Sequence, residues 1–180
     1  MVEGSYFRFD PFLHYRFDRD PARNAEIEGE RLTCDEVVAL ERGDAERSRA
    51  MEKSCGQLIL AEGAGSDCGH LFRCDAGRRN FVIGFDGRFR LCPSLYHPDF
   101  LFDLRKGSLA EAWARFVPGV LDRTSSRPEY FERCARCPIV NLCLWCPAHA
   151  YLETGELDLP VDNFCRLAHA RARALDRGKA

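Results

Sequence analysis

Eight of the ten cysteines in this 180-residue chain fall in a ladder after residue 60, and no other feature restricts the fold as strongly. The ladder opens as Cys68-x5-Cys74-x17-Cys92 and pauses for 41 residues. It resumes as Cys134-x2-Cys137-x5-Cys143-x2-Cys146-x18-Cys165. Soft thiolates at short spacing suit zinc or iron–sulfur clusters, because a C-x2-C turn aims two sulfurs at one centre. Eight thiolates make two complete four-thiolate sites and leave none over. A four-thiolate zinc site also accepts paired C-x2-C units. Against zinc, the five-residue link between the pairs is short for two knuckles closing on one ion. The upstream trio also needs a fourth ligand, which only the downstream group or Cys165 supplies.

Composition narrows the classes further. With 28 acidic and 26 basic residues the net charge is −2, which gives no reason to expect nucleic acid or an anionic membrane as partner. No apolar run approaches the ~18 residues of a membrane span. Thirteen Phe and well-spaced apolar segments argue against ordinary disorder. The opening Met-Val-Glu-Gly-Ser carries an acid where a secretory signal needs positive charge. These features predict a cytoplasmic protein, where thiols hold metal or do chemistry rather than form disulfides.

Along the chain, residues 5–17 alternate aromatic and polar positions and predict a buried strand, with Tyr6, Phe7, Phe9 and Phe12 as its aromatic residues. Asp18 to Arg31 has no apolar period and predicts a solvated connection. Thr33 and Glu36 form a capping box for a helix whose apolar face would be Val37, Val38 and Leu40, ending at Gly43. Asp44 would cap a second helix to about Ala61, followed by a loop over residues 62–66. Phe81 to Phe85, then Asp86-Gly87, then Arg88 to Leu91 predicts a hairpin with a type I′ turn. Ser108 and Glu111 form a second capping box, for a helix that Pro118-Gly119 would stop. Pro147 and Gly155 would open and close a short helix, and Asp162 would cap a last one with Cys165 in its first turn and an exposed Arg-rich tail. The expected fold class is α+β.

The run Cys74-x12-Gly87-x4-Cys92, then Cys134-x2-Cys137-x5-Cys143-x2-Cys146, then Cys165, resembles the seven-cysteine SPASM motif. That motif marks the auxiliary iron–sulfur domain at the C-terminus of many radical SAM enzymes that modify peptides and proteins. Cys68 falls where members with two complete clusters carry an eighth cysteine. Cys74-Asp75-Ala76-Gly77, Asp86-Gly87 and Cys92-Pro93 look like the family's cluster-bearing hairpin, and Asp103-Leu104 with Gly107-Ser108-Leu109 like its following helix start. The resemblance covers residues 68–175. It implies that Cys68, Cys74, Cys92 and Cys146 hold one [4Fe–4S] cluster, and that Cys134, Cys137, Cys143 and Cys165 hold a second. One spacing departs: Leu144 and Trp145 stand where the family usually has three residues, which leaves the assignment of Cys143 against Cys146 open.

A looser likeness covers the first part. Tyr6 to Pro11 resembles the final strand of the family's partial TIM-type barrel, and Glu30-Arg31-Leu32 the lead-in to a bridging helix. The implied organisation is a junction over 1–61 and a cluster domain over 62–180. Radical generation needs a C-x3-C-x2-C loop with one open iron for S-adenosylmethionine, and no three cysteines here have that spacing. The chain alone is therefore not expected to catalyse the family's reaction. The implied role is electron relay or substrate positioning, beside a radical SAM core on a preceding segment or a separate chain. The implied partners are a peptide or protein substrate and an electron donor such as ferredoxin or flavodoxin. The alternatives are a zinc-stabilised Cys-rich binding module and a fragment that holds no metal. Cys34 and Cys55 read as packing residues. Of the five histidines, only His149 stands near enough to a candidate ligand to tune it. Pro93 occupies the position where sulfatase-maturing members carry a basic carboxylate.

Overall fold

The computed structural model describes residues 13–60, 69–74, 76–143 and 145–177. Eight helices and a three-stranded antiparallel sheet make it an α+β fold among these residues. The strand expected over Tyr6 to Pro11 and the loop expected over 62–66 lie outside the described residues; at 13–17 the backbone is not a strand.

The stretch expected to be a connection is a helix, α1 (Pro21–Glu30). Asp20 accepts the amides of Ala22 and Arg23 at 2.9 and 3.3 Å, and Pro21 sits at the first helical position. No residue of α1 is buried, so the helix carries no apolar period to reveal it. α2 (Cys34–Gly43) starts at the expected capping box, with Thr33 Oγ1 accepting the Glu36 amide and Glu36 accepting the Thr33 amide. Its inward stripe is Val37 and Glu41, four residues apart, while Leu40 is 49% exposed rather than part of the apolar face. Asp44 then caps α3 (Ala45–Leu58), which ends three residues short of Ala61. Met51, Cys55 and Leu58 of α3 pack on Ile139, Leu142 and Leu175.

The sheet is β1 (Val82–Ile83), β2 (Arg88–Arg90) and β3 (Phe102–Asp103) in that order. Val82 pairs with Arg90 and Ile83 with Phe89. The hairpin is where it was expected, but its turn is not type I′. The Gly87 amide donates to Gly84 at 3.0 Å and the Gly84 amide to Arg88 at 2.9 Å, which makes Phe85-Asp86-Gly87 a three-residue loop. Only Gly87 has positive φ, at 74°, whereas type I′ needs it at both central residues. Gly77 is the other strained position here: φ is 72° and a Cβ would come within 2.6 Å of Leu91.

Ser108 caps α4 (Leu109–Glu111) through the Glu111 amide at 3.1 Å. The helix continues through a π segment (Ala112–Phe116) into α5 (Val117–Leu121), so Pro118-Gly119 does not stop it. The widened turn shifts the hydrogen-bond register just before Pro118, whose missing amide would otherwise break the ladder. α6 (Pro128–Tyr130) likewise runs into a π segment (Phe131–Ala135). α7 (Pro147–Thr154) closes at Gly155 with φ 87°, as the sequence predicts. α8 (Asp162–Arg177) begins at Asp162 itself.

One part of the core lies under the sheet, around Phe89, Leu91, Leu95, Phe100 and Tyr130. Smaller parts join α2, α3 and α8 to the segment 139–145. Between them sits a buried ion pair. Arg171 donates to both Glu41 carboxylate oxygens at 2.6 and 3.0 Å and to the Leu142 carbonyl at 2.9 Å. The tail expected to be wholly exposed thus contributes a buried guanidinium.

Glu41 also accepts Arg47 at 2.9 Å, so the two deletions are not equal. Glu41→Leu strips the buried Arg171 of its carboxylate and should lower the unfolding free energy by about 3 kcal/mol in denaturant titration, whereas Arg171→Met leaves Glu41 paired with Arg47 and should cost less. The double variant should recover most of that loss, and equal losses in all three would contradict the pairing.

Candidate functional site

Two groups of thiols come together. The first joins four of the expected ligands. Cys134 ends the π segment after α6, and the Cys137 amide donates back to its carbonyl at 3.2 Å, a tight turn that brings both sulfurs to one side. Cys143 follows a 3-10 turn over Val140–Leu142, and Cys165 lies in the first turn of α8. All four line a cavity of about 310 Å³, with Ile139 and Trp145 as its apolar wall. The cleft is partly open and is shared with Glu132, Arg133, Arg136 and His169. Among the described residues no three His, Cys, Asp or Glu side chains draw close enough to hold one metal ion. The four thiols face a common cleft.

Their electrostatics follow from that enclosure. Burial pushes the Cys134 thiol up to about 12, and the charges of Cys165, Cys143 and Cys137 add to the push. Burial raises Cys143 to about 11 against the opposing pull of the Trp145 amide. Without a cation both remain neutral thiols at pH 7. Two arginines supply partial compensation: Arg133 reaches Cys165 Sγ at 3.9 Å, and Arg171 lies close enough to Cys143 to favour its thiolate.

The second group is Cys74, Cys92 and Cys146; its expected fourth member, Cys68, lies outside the described residues. Cys146 is the N-cap of α7, and its sulfur accepts the His149 amide at 3.4 Å. Burial raises it to about 11, with Cys92 and Cys74 adding to the shift. Burial also raises Cys92, opposed by the amides of Ser94 and Leu95, while Cys74 adds to the rise. Cys74 itself is exposed. Beside Cys92, Arg90 is 8% exposed, donates to the Tyr96 hydroxyl at 2.8 Å and lies over the Tyr96 ring. Its Nε is buried without an acceptor among the described residues. A buried cationic donor beside Cys92 fits an anionic, sulfur-rich group there.

The sequence leaves Cys143 and Cys146 unassigned, and their surroundings separate them. Both residues are extended, with ψ of 139° and 160°. Trp145 anchors the segment, donating Nε1–H to the Leu159 carbonyl at 2.9 Å and packing on Tyr130. Cys143 therefore joins Cys134, Cys137 and Cys165, and Cys146 joins Cys74 and Cys92.

Cys34 and Cys55 join neither group and pack at the edges of the helical core. The His149 ring stacks on His14 with centroids 3.9 Å apart, and its backbone amide donates to Cys146. Sequence reasoning passed over Arg90, Arg133 and Arg171. Arg90 carried one available signal, its place in a strand immediately before a cysteine. No family model, curated protein or solved structure matches the chain.

Raised thiol pKa values slow alkylation, because the thiolate is the nucleophile. In the metal-free folded chain at pH 8, iodoacetamide should modify exposed Cys74 well before Cys134, Cys143 and Cys146, as read by peptide mass spectrometry. Cys134 reacting as fast as Cys74 would show that the buried group is not formed.

Proposed function

We propose that this chain is the auxiliary iron–sulfur module of a radical SAM peptide or protein maturase, similar to the SPASM domain. The single observation that carries the reading is the cavity of about 310 Å³ lined by Cys134, Cys137, Cys143 and Cys165. Four thiols drawn from separate elements and facing one cleft suit a cubane, which takes four thiolates. In this reading those residues hold one [4Fe–4S] cluster, and Cys74, Cys92, Cys146 and Cys68 hold the other. The orphaned Arg90 Nε supports the second assignment, since it offers a donor where that cluster's sulfur would lie. Residues 1–61 would form the junction to a partial barrel, and the S-adenosylmethionine site would belong to a radical SAM core outside this sequence.

Each bound cluster would supply a one-electron redox centre. The chain's own contribution is to set the environment of that centre. The amides of His149, Ser94, Leu95 and Trp145 stabilise thiolate charge, as do Arg90, Arg133 and Arg171. Such bonds and burial are the levers that fix a cluster's potential. Binding must also release the protons that burial holds on Cys134, Cys143 and Cys146, so cluster retention should weaken as pH falls.

Anaerobic expression should yield a brown protein with about eight iron and eight sulfide per chain. Two zinc and no sulfide would overturn the proposal in favour of a structural module. Cys74→Ser and Cys134→Ser should each remove about half the iron, because the two groups share no thiol.

A further inference from the structure

We infer that the open edge of β1 is a docking strand for an extended peptide segment that alternates apolar side chains and ends in carboxylates. Its role as a substrate-docking edge rests on the function proposed above; the surface itself rests on the geometry below.

Among the described residues β1 is an outer strand, paired only with β2. The Gly84 amide donates to Arg88, and Val82 is paired with Arg90, so residues 82 and 84 turn their main-chain groups inward. The amide and carbonyl of Ile83 therefore point away from the sheet. Protected edges carry charge, proline or a covering element. This one carries Phe81, Ile83 and Phe85, exposed by 40%, 46% and 109%. Phe81 stacks on Phe89 at 5.3 Å and meets Trp113 edge-on at 5.8 Å, which makes a fixed aromatic shelf beside the open backbone. The hairpin turn adds Phe85 at its tip, where it touches no other ring. Large exposed apolar side chains lined up along an open strand edge mark an interaction surface rather than scattered surface residues.

Charge identifies the occupant. Two residues before Phe81 stand Arg78 and Arg79, both exposed and without a carboxylate partner among the described residues. The acids at the turn end of the hairpin have partners of their own, Asp86 with Arg88 and Asp103 with Arg105. A segment adding antiparallel to β1 would bring its C-terminal end to these two arginines. Strand addition supplies affinity through main-chain hydrogen bonds, alternate side chains meet the aromatic shelf, and terminal carboxylates answer the cationic pair.

The test uses the full cluster-loaded chain and a fluorescein-labelled peptide, Thr-Val-Thr-Val-Thr-Glu-Glu, followed by fluorescence anisotropy. Saturable binding is expected, weakening as salt is raised. Ile83→Pro removes an outward-facing amide together with one exposed apolar side chain, a change edge strands tolerate, and should weaken binding roughly tenfold with unchanged circular dichroism. Arg78→Glu with Arg79→Glu should weaken it by a similar factor, and a Lys-Lys ending should bind the wild type worse than the Glu-Glu ending. Absence of binding, or equal binding by Ile83→Pro, overturns the inference. So does a dimer in sedimentation that Ile83→Pro dissolves, which would assign the edge to a second copy. Iron and sulfide are measured on the same samples. Iron without peptide binding rejects the docking edge alone, and peptide binding without iron rejects the cluster reading alone.

Discussion

The guanidinium of Arg171 is the point on which the helical half of this protein turns. It ties Glu41 of α2 to α8 and caps the Leu142 carbonyl, one residue before Cys143. Cys165 lies on the same helix six residues earlier, so one side chain fixes two of the four thiols of its group relative to each other. A charge this well buried gives little net stability against an apolar replacement. What it contributes is position. Its field also favours the Cys143 thiolate, which links the packing of α2 to the chemistry of the site.

The thiols themselves oppose the metal-free fold only weakly while neutral, but they exact a proton release when a cation arrives. Burial is the first cause of every large thiol shift in both groups. Thiols enclosed this way stay protonated unless a cation compensates, so any metal binding here would be coupled to pH. The cavity and the modest core beside it belong to one arrangement. Ile139 and Leu142 pack against α3 and α8, and they stand between Cys137 and Cys143 in sequence.

Much of this was legible in the residues because local chemistry settles it. The Thr33 box, the Ser108 half of the second box, the Asp44 cap and the Pro147–Gly155 pair all rest on bonds within a few residues, and each stands where the sequence puts it. Features decided by solvent or distant neighbours were not legible. α1 has no buried face, so no period announces it. Pro118 continues its helix because a π turn shifts the register ahead of it, a choice made by the packing of Phe116 on Phe89 and Phe102. Arg171 reads as one more arginine in a basic tail, and only Glu41, 130 residues away, makes it a core residue. The cysteine ladder sits between these cases: spacing predicts two groups, and tertiary structure decides their membership.

That decision shows why spacing alone is an incomplete code. Cys134 and Cys137 share the C-x2-C interval with Cys143 and Cys146, yet the two pairs behave oppositely. In the first, an amide-to-carbonyl bond closes the turn and the sulfurs converge. In the second, Cys143 and Cys146 are each extended, and their sulfurs face different groups. The same interval thus builds a clamp in one place and a bridge in the other. Because only two residues separate Cys143 from Cys146, covalent geometry keeps the two groups near each other. Trp145, held by the Leu159 carbonyl and packed on Tyr130, anchors that short link to the core between the two groups.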